Sequence, residues 1–289
     1  MNKFKLDITG LFGRTDFTLE MDRPVKYLTG LNGAGKTTIL RLLTAIYCRD
    51  SKTISNIPFE TLSYDDGDYS FMTYKKTPDG AVSLPDKPPT FRYIHVPEQY
   101  EHVFRRMHDP YRDKPGNRPL FRLEDTYVMP DMVLGYLTNP ETANLNDERQ
   151  AMLRMLLDET HGYLRLPEIG AKFPFCFVSK KTGELVSSEY LSQGEQRWFM
   201  LLYAVIFLVQ EGDVLMIDSP EKFLHIVWQK RLMDIIDRIM ATRPFYCLIA
   251  THSPMIINED WENTIDIGVN DAILKKDPET PKEDDDEDR

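Results

Sequence analysis

The 289 residues include only three cysteines, Cys48, Cys176 and Cys247, and no two of them form a C-x-x-C pair. An odd, dispersed set of this kind carries no metal signature and suits a reducing compartment better than a disulfide framework. Long apolar runs are missing as well. The longest, Trp198 to Val209, has 12 residues, which is too short to cross a bilayer and fits a buried helix. The first residues, MNKFKLDITG, lack the apolar stretch of a secretory signal, so no membrane insertion and a cytoplasmic location are expected. Fifteen Gly and nineteen Pro are too few and too scattered for a fibrous chain, and no repeat of 20–50 residues recurs. With 42% apolar residues, the chain has ample material for a core.

The formal charge of −11 is unevenly placed. Residues 277–289, DPETPKEDDDEDR, hold eight acids and two bases and so contribute −6, leaving −5 for residues 1–276. A like-charge run without apolar residues cannot offset its ordering entropy, and a disordered acidic tail is expected there, either a solubility tail or a dock for a basic partner. Residues 105–122 run the other way, with Arg105, Arg106, Arg112, Lys114, Arg118 and Arg122 against Asp109 and Asp113. Interleaved with Tyr111 and Phe121, this segment is a candidate contact for nucleic acid, an acidic protein surface or the chain's own tail, or else a solvated loop.

Hydropathy patterning divides the chain into alternating elements. Residues 3–9 and 16–21 alternate apolar and polar, predicting an antiparallel pair, and Val25 to Thr29 predicts a short apolar strand. Ile39, Leu40, Leu42, Leu43, Ile46 and Tyr47 share one face of a helix that follows. Residues 50–90 mix β-type runs with turn signals and read as a hairpin-rich excursion, and a strand returns at 91–96. A mainly helical lobe is expected over 97–165, with helices near 129–137 and 148–160. Beyond it come a hairpin over 173–190, a helix over 193–211, a strand over 213–217, a helix over 222–240, and strands over 245–251 and 264–269. Alternating β and α elements imply an α/β fold with a largely parallel core sheet, so residues 1–276 are expected to form one domain.

Three segments carry chemistry. Gly30–Thr37 (GLNGAGKT) fits G-x-x-x-x-G-K-[ST] directly after an apolar strand and at the opening of a helix. In that context backbone amides form an anion nest, the helix N-terminus adds its positive end, Lys36 reaches the outer phosphates of a nucleotide, and the Thr37 hydroxyl ligates Mg²⁺. The phosphate-binding set is Gly30, Asn32, Gly33, Ala34, Gly35, Lys36, Thr37 and Thr38. Val214–Asp218 is an apolar strand ending in a carboxylate, the position of a metal-facing acid. Tyr190–Arg197 (YLSQGEQR) is the third.

This third segment is similar to the Leu-Ser-x-Gly-Glu/Gln signature of the ATP-binding-cassette (ABC) superfamily, and the order of motifs agrees. Asp218 follows Ser192 by 26 positions, and His252 follows Asp218 by 34, in the segment ATHSP after another apolar strand. LSQGE is closer to the SMC-like, RecF-like and overcoming-lysogenisation-defect ATPases than to the LSGGQ of transport ATPases, and residues 217–225 (IDSPEKFLH) resemble the last group's D-E-P-E-x-x-L-H pattern. The resemblance implies a P-loop head with an antiparallel N-terminal β subdomain and an inserted helical lobe, binding ATP and Mg²⁺. It implies a head-to-tail homodimer around two nucleotides, with Ser192, Gly194 and Glu195 completing the site of the facing subunit. It makes His252 the switch histidine and Gln99 a metal-site glutamine linked to the inserted lobe. A role beside a separate effector protein in phage defence or DNA maintenance follows from the same likeness. The alternatives are a transporter's ATP-binding subunit and a scaffold that holds ATP without hydrolysing it.

One residue departs from the pattern. Where the family carries the Glu that polarises the attacking water, this chain has Ser219, whose hydroxyl is a poor base at neutral pH. Glu221 is the substitute base, or alternatively an acid at a helix N-terminus favoured by the dipole. His225 is expected to be structural, and no His spacing suggests a metal site.

Overall fold

The computed structural model describes residues 4–74, 82–85, 87, 89–96, 134–135, 137–140, 147–160, 162–172 and 176–268. Gln99, the basic segment 105–122 and the acidic tail 277–289 lie outside the described residues, as does most of the expected 97–165 lobe.

The N-terminal strands β1 (Lys5–Leu11) and β2 (Thr15–Glu20) pair antiparallel, with Leu6 opposite Leu19 and Ile8 opposite Phe17. Their alternation buries one face and exposes the other, as a period of two requires. The excursion over 50–90 contains the expected hairpin, β4 (Thr61–Asp65) with β5 (Ser70–Tyr74), and this hairpin extends the sheet to the order β2-β1-β4-β5. It also contains a short helix, α2 (Ser51–Asn56), capped by Asp50.

The second sheet has the order β12-β3-β11-β10-β6, and every pairing in it is parallel. Its strands are β3 (Val25–Thr29), β6 (Tyr93–Val96), β10 (Val214–Asp218), β11 (Tyr246–Ala250) and β12 (Thr264–Asp266). The register levels their ends, since Asp218 pairs with Ala250 and Ala250 with Leu28. Every residue of β6, β10 and β11 is buried because both faces are covered. Val214, Met216, Leu248 and Ala250 face one core with the apolar stripe of α1 (Lys36–Tyr47) and the antiparallel sheet. Leu215, Ile217, Cys247 and Ile249 face the other.

That second core is roofed by α3 (Asp147–Thr160), α4 (Gln193–Tyr203) and α5 (Ile226–Thr242). A small antiparallel sheet, β7 (Leu164–Arg165), β8 (Cys176–Ser179) and β9 (Leu185–Ser187), leads into α4. Two sequence expectations are corrected here. The helix expected over 193–211 is α-helical only to Tyr203 and continues as a π-helix over Ala204–Leu208. Its carbonyls are taken by arginines: Arg243 donates to Val205 and Ile206 (both 3.0 Å), Arg149 to Phe207 (3.1 Å) and Arg92 to Leu208 (2.7 Å). The helix expected from 222 begins only at Ile226. Ser219 (φ 47°) and Phe223 (φ 65°) adopt left-handed backbone that ends any helical run, and His225 Nδ1 then caps the new helix by accepting from Val227 N.

Candidate functional site

Because the core strands are parallel, the loops after β3, β10, β11 and β12 all emerge at one edge of the sheet, where α/β folds place their ligands. Gly30, Gly33 and Gly35 hold φ values of 132°, 76° and 112°, so the loop between β3 and α1 curls its backbone in a way that L-residues resist. Gly35 is the N-cap of α1 and supplies no side-chain acceptor, so the first amides of the helix remain directed at the loop. Asn32 and Gly33 are exposed and Ala34 is buried beneath them, while Thr37 and Thr38 stand half-buried in the first turn.

Lys36 is 7% exposed. Its Nζ donates to the carbonyls of Gly30 (2.8 Å) and Leu31 (3.1 Å), inside the loop it would share with a phosphate. Burial lowers its pKa, and the negative charges of Asp218, Glu221 and Asp266 oppose that shift. The phosphate lysine and the two acids singled out in the sequence therefore belong to one electrostatic cluster. A nearly buried cation, a nest of amides and adjacent carboxylates fit a magnesium-bound nucleoside triphosphate.

Asp218 ends β10, 2% exposed, and its carbonyl accepts from Arg197 Nη2 of α4 (2.9 Å). Ser219 donates to Asp218 Oδ1 (3.4 Å), and its own amide extends the sheet ladder to Ala250 O (2.8 Å). Glu221 does not sit at a helix N-terminus. Its Oε2 accepts from the Thr251 hydroxyl (2.7 Å) and its Oε1 from His252 N (2.9 Å), stapling the turn after β10 to the turn after β11. The exposed imidazole of His252 has a lowered pKa, from desolvation first and then from the positive charges of Lys36 and Lys222, against the opposing charges of Glu221 and Asp218.

Ser192 is the N-cap of α4 in a capping box: Glu195 Oε2 accepts from Ser192 N (2.7 Å) and Ser192 Oγ (2.8 Å), while Glu195 N donates to Ser192 Oγ (3.3 Å). Tyr163, in the turn before β7, donates its hydroxyl to Glu195 Oε1; burial first, then that bond and the carboxylate's charge, push the phenol up to about 12. Gly194 lies against the backbone carbonyl of Phe223 and the ring of Trp228. Exposed apolar side chains surround this corner: Tyr190, Phe223, Ile226 and Val227.

Four contributors escaped the sequence reading. Arg14, in the β1–β2 turn, donates to Gly33 O (2.6 Å) from far along the chain, and Asp266 reaches Lys36 from the edge strand. Thr251 and Arg197 lie within segments already quoted for their motifs, but their contacts required the three-dimensional arrangement. Among the described residues no cluster of three His, Cys, Asp or Glu side chains could hold a metal by itself. No helix among them is long and apolar enough to cross a membrane.

Comparison with known proteins finds a family match over residues 98–258, to a family described as "AAA domain, putative AbiEii toxin, Type IV TA system". No curated protein matches the chain. Among solved structures, one titled "Putative ABC transporter (ATP-binding protein)" from Pyrococcus furiosus is similar at 13% identity and a TM-score of 0.45, covering 91% of this chain and 97% of that one. Another, titled "Structure of ATP binding subunit of ABC transporter", is similar at 16% identity and a TM-score of 0.44, covering 93% and 91%.

Proposed function

This chain belongs to the AAA-domain family described as "putative AbiEii toxin, Type IV TA system", and from that premise we propose that it is a nucleotide-gated switch whose two heads close on ATP and signal to a separate effector protein. The observation that carries the reading is the cluster around Lys36, where a nearly buried ammonium held on the Gly30 carbonyl, Asp218, and Glu221 bonded to the His252 amide lie at one sheet edge.

In this reading the amides of residues 33–37 and the Lys36 ammonium bind the phosphates, and Thr37 and Asp218 hold Mg²⁺. The cation supplies Lewis-acid stabilisation of the charge that develops on phosphoryl transfer. Glu221 would take the proton of the attacking water in place of the missing family glutamate, with His252 tied to it through its backbone amide. Ser192 and Gly194 contact the nucleotide of the facing subunit. The exposed Tyr190, Phe223, Ile226 and Val227 beside them, and Phe12 and Leu31 beside the phosphate loop, support a contact between two copies. Closure then follows from tighter ATP binding in the closed state, and hydrolysis resets it. The family's description as a putative toxin of a toxin–antitoxin system supports a separate partner protein.

Size-exclusion chromatography with ATP and Mg²⁺ tests the switch. Ser192→Arg should abolish the ATP-dependent dimer while a fluorescent ATP analogue still binds the monomer. An undiminished dimer would reject the head-to-tail arrangement.

A further inference from the structure

Glu221 carries the burden left by Ser219, and its position depends on one side chain that no motif assigns a task. Thr251 is fully buried at the end of β11, and its amide is fixed on the carbonyl of Leu28 in the phosphate-loop strand (3.0 Å). Its hydroxyl has a single proton. Ser253 N donates to Thr251 Oγ1 (3.0 Å), so that oxygen acts as acceptor there and its proton goes to Glu221 Oε2 (2.7 Å). With His252 N on Oε1, each oxygen of the carboxylate receives a donor from the same three-residue turn.

The turn is braced in its own right. Ser253 Oγ donates to Gln229 Oε1 (2.7 Å), and Gln229 Nε2 donates to Leu224 O (2.9 Å), back in the segment that contains Glu221. The result is a closed circuit through Glu221, Thr251, Ser253, Gln229 and Leu224 that joins the loops after β10 and β11. A glutamate has three rotatable bonds, and a carboxylate intended to meet one water gains nothing from freedom. Its charge is also felt by Lys36, whose pKa it raises against the effect of burial. Without the Thr251 hydroxyl, the carboxylate keeps only the His252 amide and is free to turn about it.

We propose that Thr251 is the positioning residue for Glu221, its hydroxyl fixing the carboxylate where it meets the water that attacks the bound nucleotide. This rests on the reading of Glu221 as the base.

The test compares full-length wild type with Thr251→Val, Thr251→Ser, Thr251→Ala and Glu221→Gln. Phosphate release gives kcat and KM for ATP, a fluorescent ATP analogue gives Kd, and the thermal midpoint records folding. Thr251→Val should lower kcat about tenfold or more while KM and Kd stay within about twofold, because the hydroxyl orients the carboxylate and is assigned no contact with the nucleotide. Thr251→Ser, which keeps the hydroxyl, should return kcat to within about threefold of wild type. If the valine variant folds poorly, the alanine variant carries the same expectation, since it removes the donor without the extra methyl. Thr251→Val with wild-type kcat, or Thr251→Ser as slow as Thr251→Val, overturns the positioning role. Glu221→Gln turning over at the wild-type rate instead overturns Glu221 as base, so the two failures are distinguishable.

Discussion

At Gly194, the second residue of α4, the need for glycine comes from space and not from backbone angle. A Cβ built there would sit closer to the Phe223 carbonyl oxygen than real Cβ atoms approach any oxygen, and Trp228 Cζ3 lies 3.9 Å away. The backbone of the 219–225 turn therefore packs directly on the signature helix. Gly194→Ala forces the two apart and is expected to cost about 1–3 kcal/mol through overpacking. A lower thermal midpoint, together with a weakened ATP-dependent dimer, is the expected outcome; an unchanged midpoint would show that the turn yields freely. The same turn holds Ser219 in left-handed backbone, which marks it as a place where the fold tolerates strain at the site.

Among the elements, the passage from α4 into its π-helical end couples the site to the body of the protein. Helix ends leave carbonyls without partners, and here Arg92, Arg149 and Arg243 converge on residues 205–208 from three separate segments. Arg92 also forms a buried ion pair with Asp213, its Nε on Oδ1 at 3.0 Å, and Asp213 Oδ2 accepts from Gln210 N (2.6 Å). At its other end, α4 reaches β10 through Arg197 and the carbonyl of Asp218. Arg92→Ala should destabilise the protein by about 3–5 kcal/mol, because it strands a buried carboxylate beside an uncapped helix end. Chemical denaturation would read this as a lower midpoint. A loss under 1 kcal/mol would mean that the remaining arginines suffice.

Across the whole molecule, one sheet divides two cores, and neither core is local in sequence. The family match begins at residue 98, yet β3, β6 and α1 precede it and β12 follows it. Residues 98–258 alone retain only β10 and β11 of the five-stranded sheet and lose the antiparallel sheet that covers one face. Such a fragment would expose the apolar face formed by Val214, Met216, Leu248 and Ala250. It should show no cooperative thermal transition by circular dichroism, whereas the full chain shows one. A sigmoidal melt of the fragment would mean that the helical core folds by itself.

The sequence by itself determined the site's chemical inventory and the alternation of elements that carries it. A phosphate loop needs its glycines, its lysine and its flanking strand and helix in unbroken order, so these can be read along the chain, as can the acid that ends β10. Helix boundaries at 204 and 226 were not legible, because they depend on arginines arriving from distant segments and on left-handed residues that leave no apolar period. Nor could spacing distinguish the two readings of Glu221. Its carboxylate lies in no helix but on a turn 30 residues further along the chain, and that placement follows from the pairing of β10 with β11. Residue types fix which chemistry is available, whereas the parallel register decides which of those groups meet, because it alone brings the ends of separate strands level at one edge.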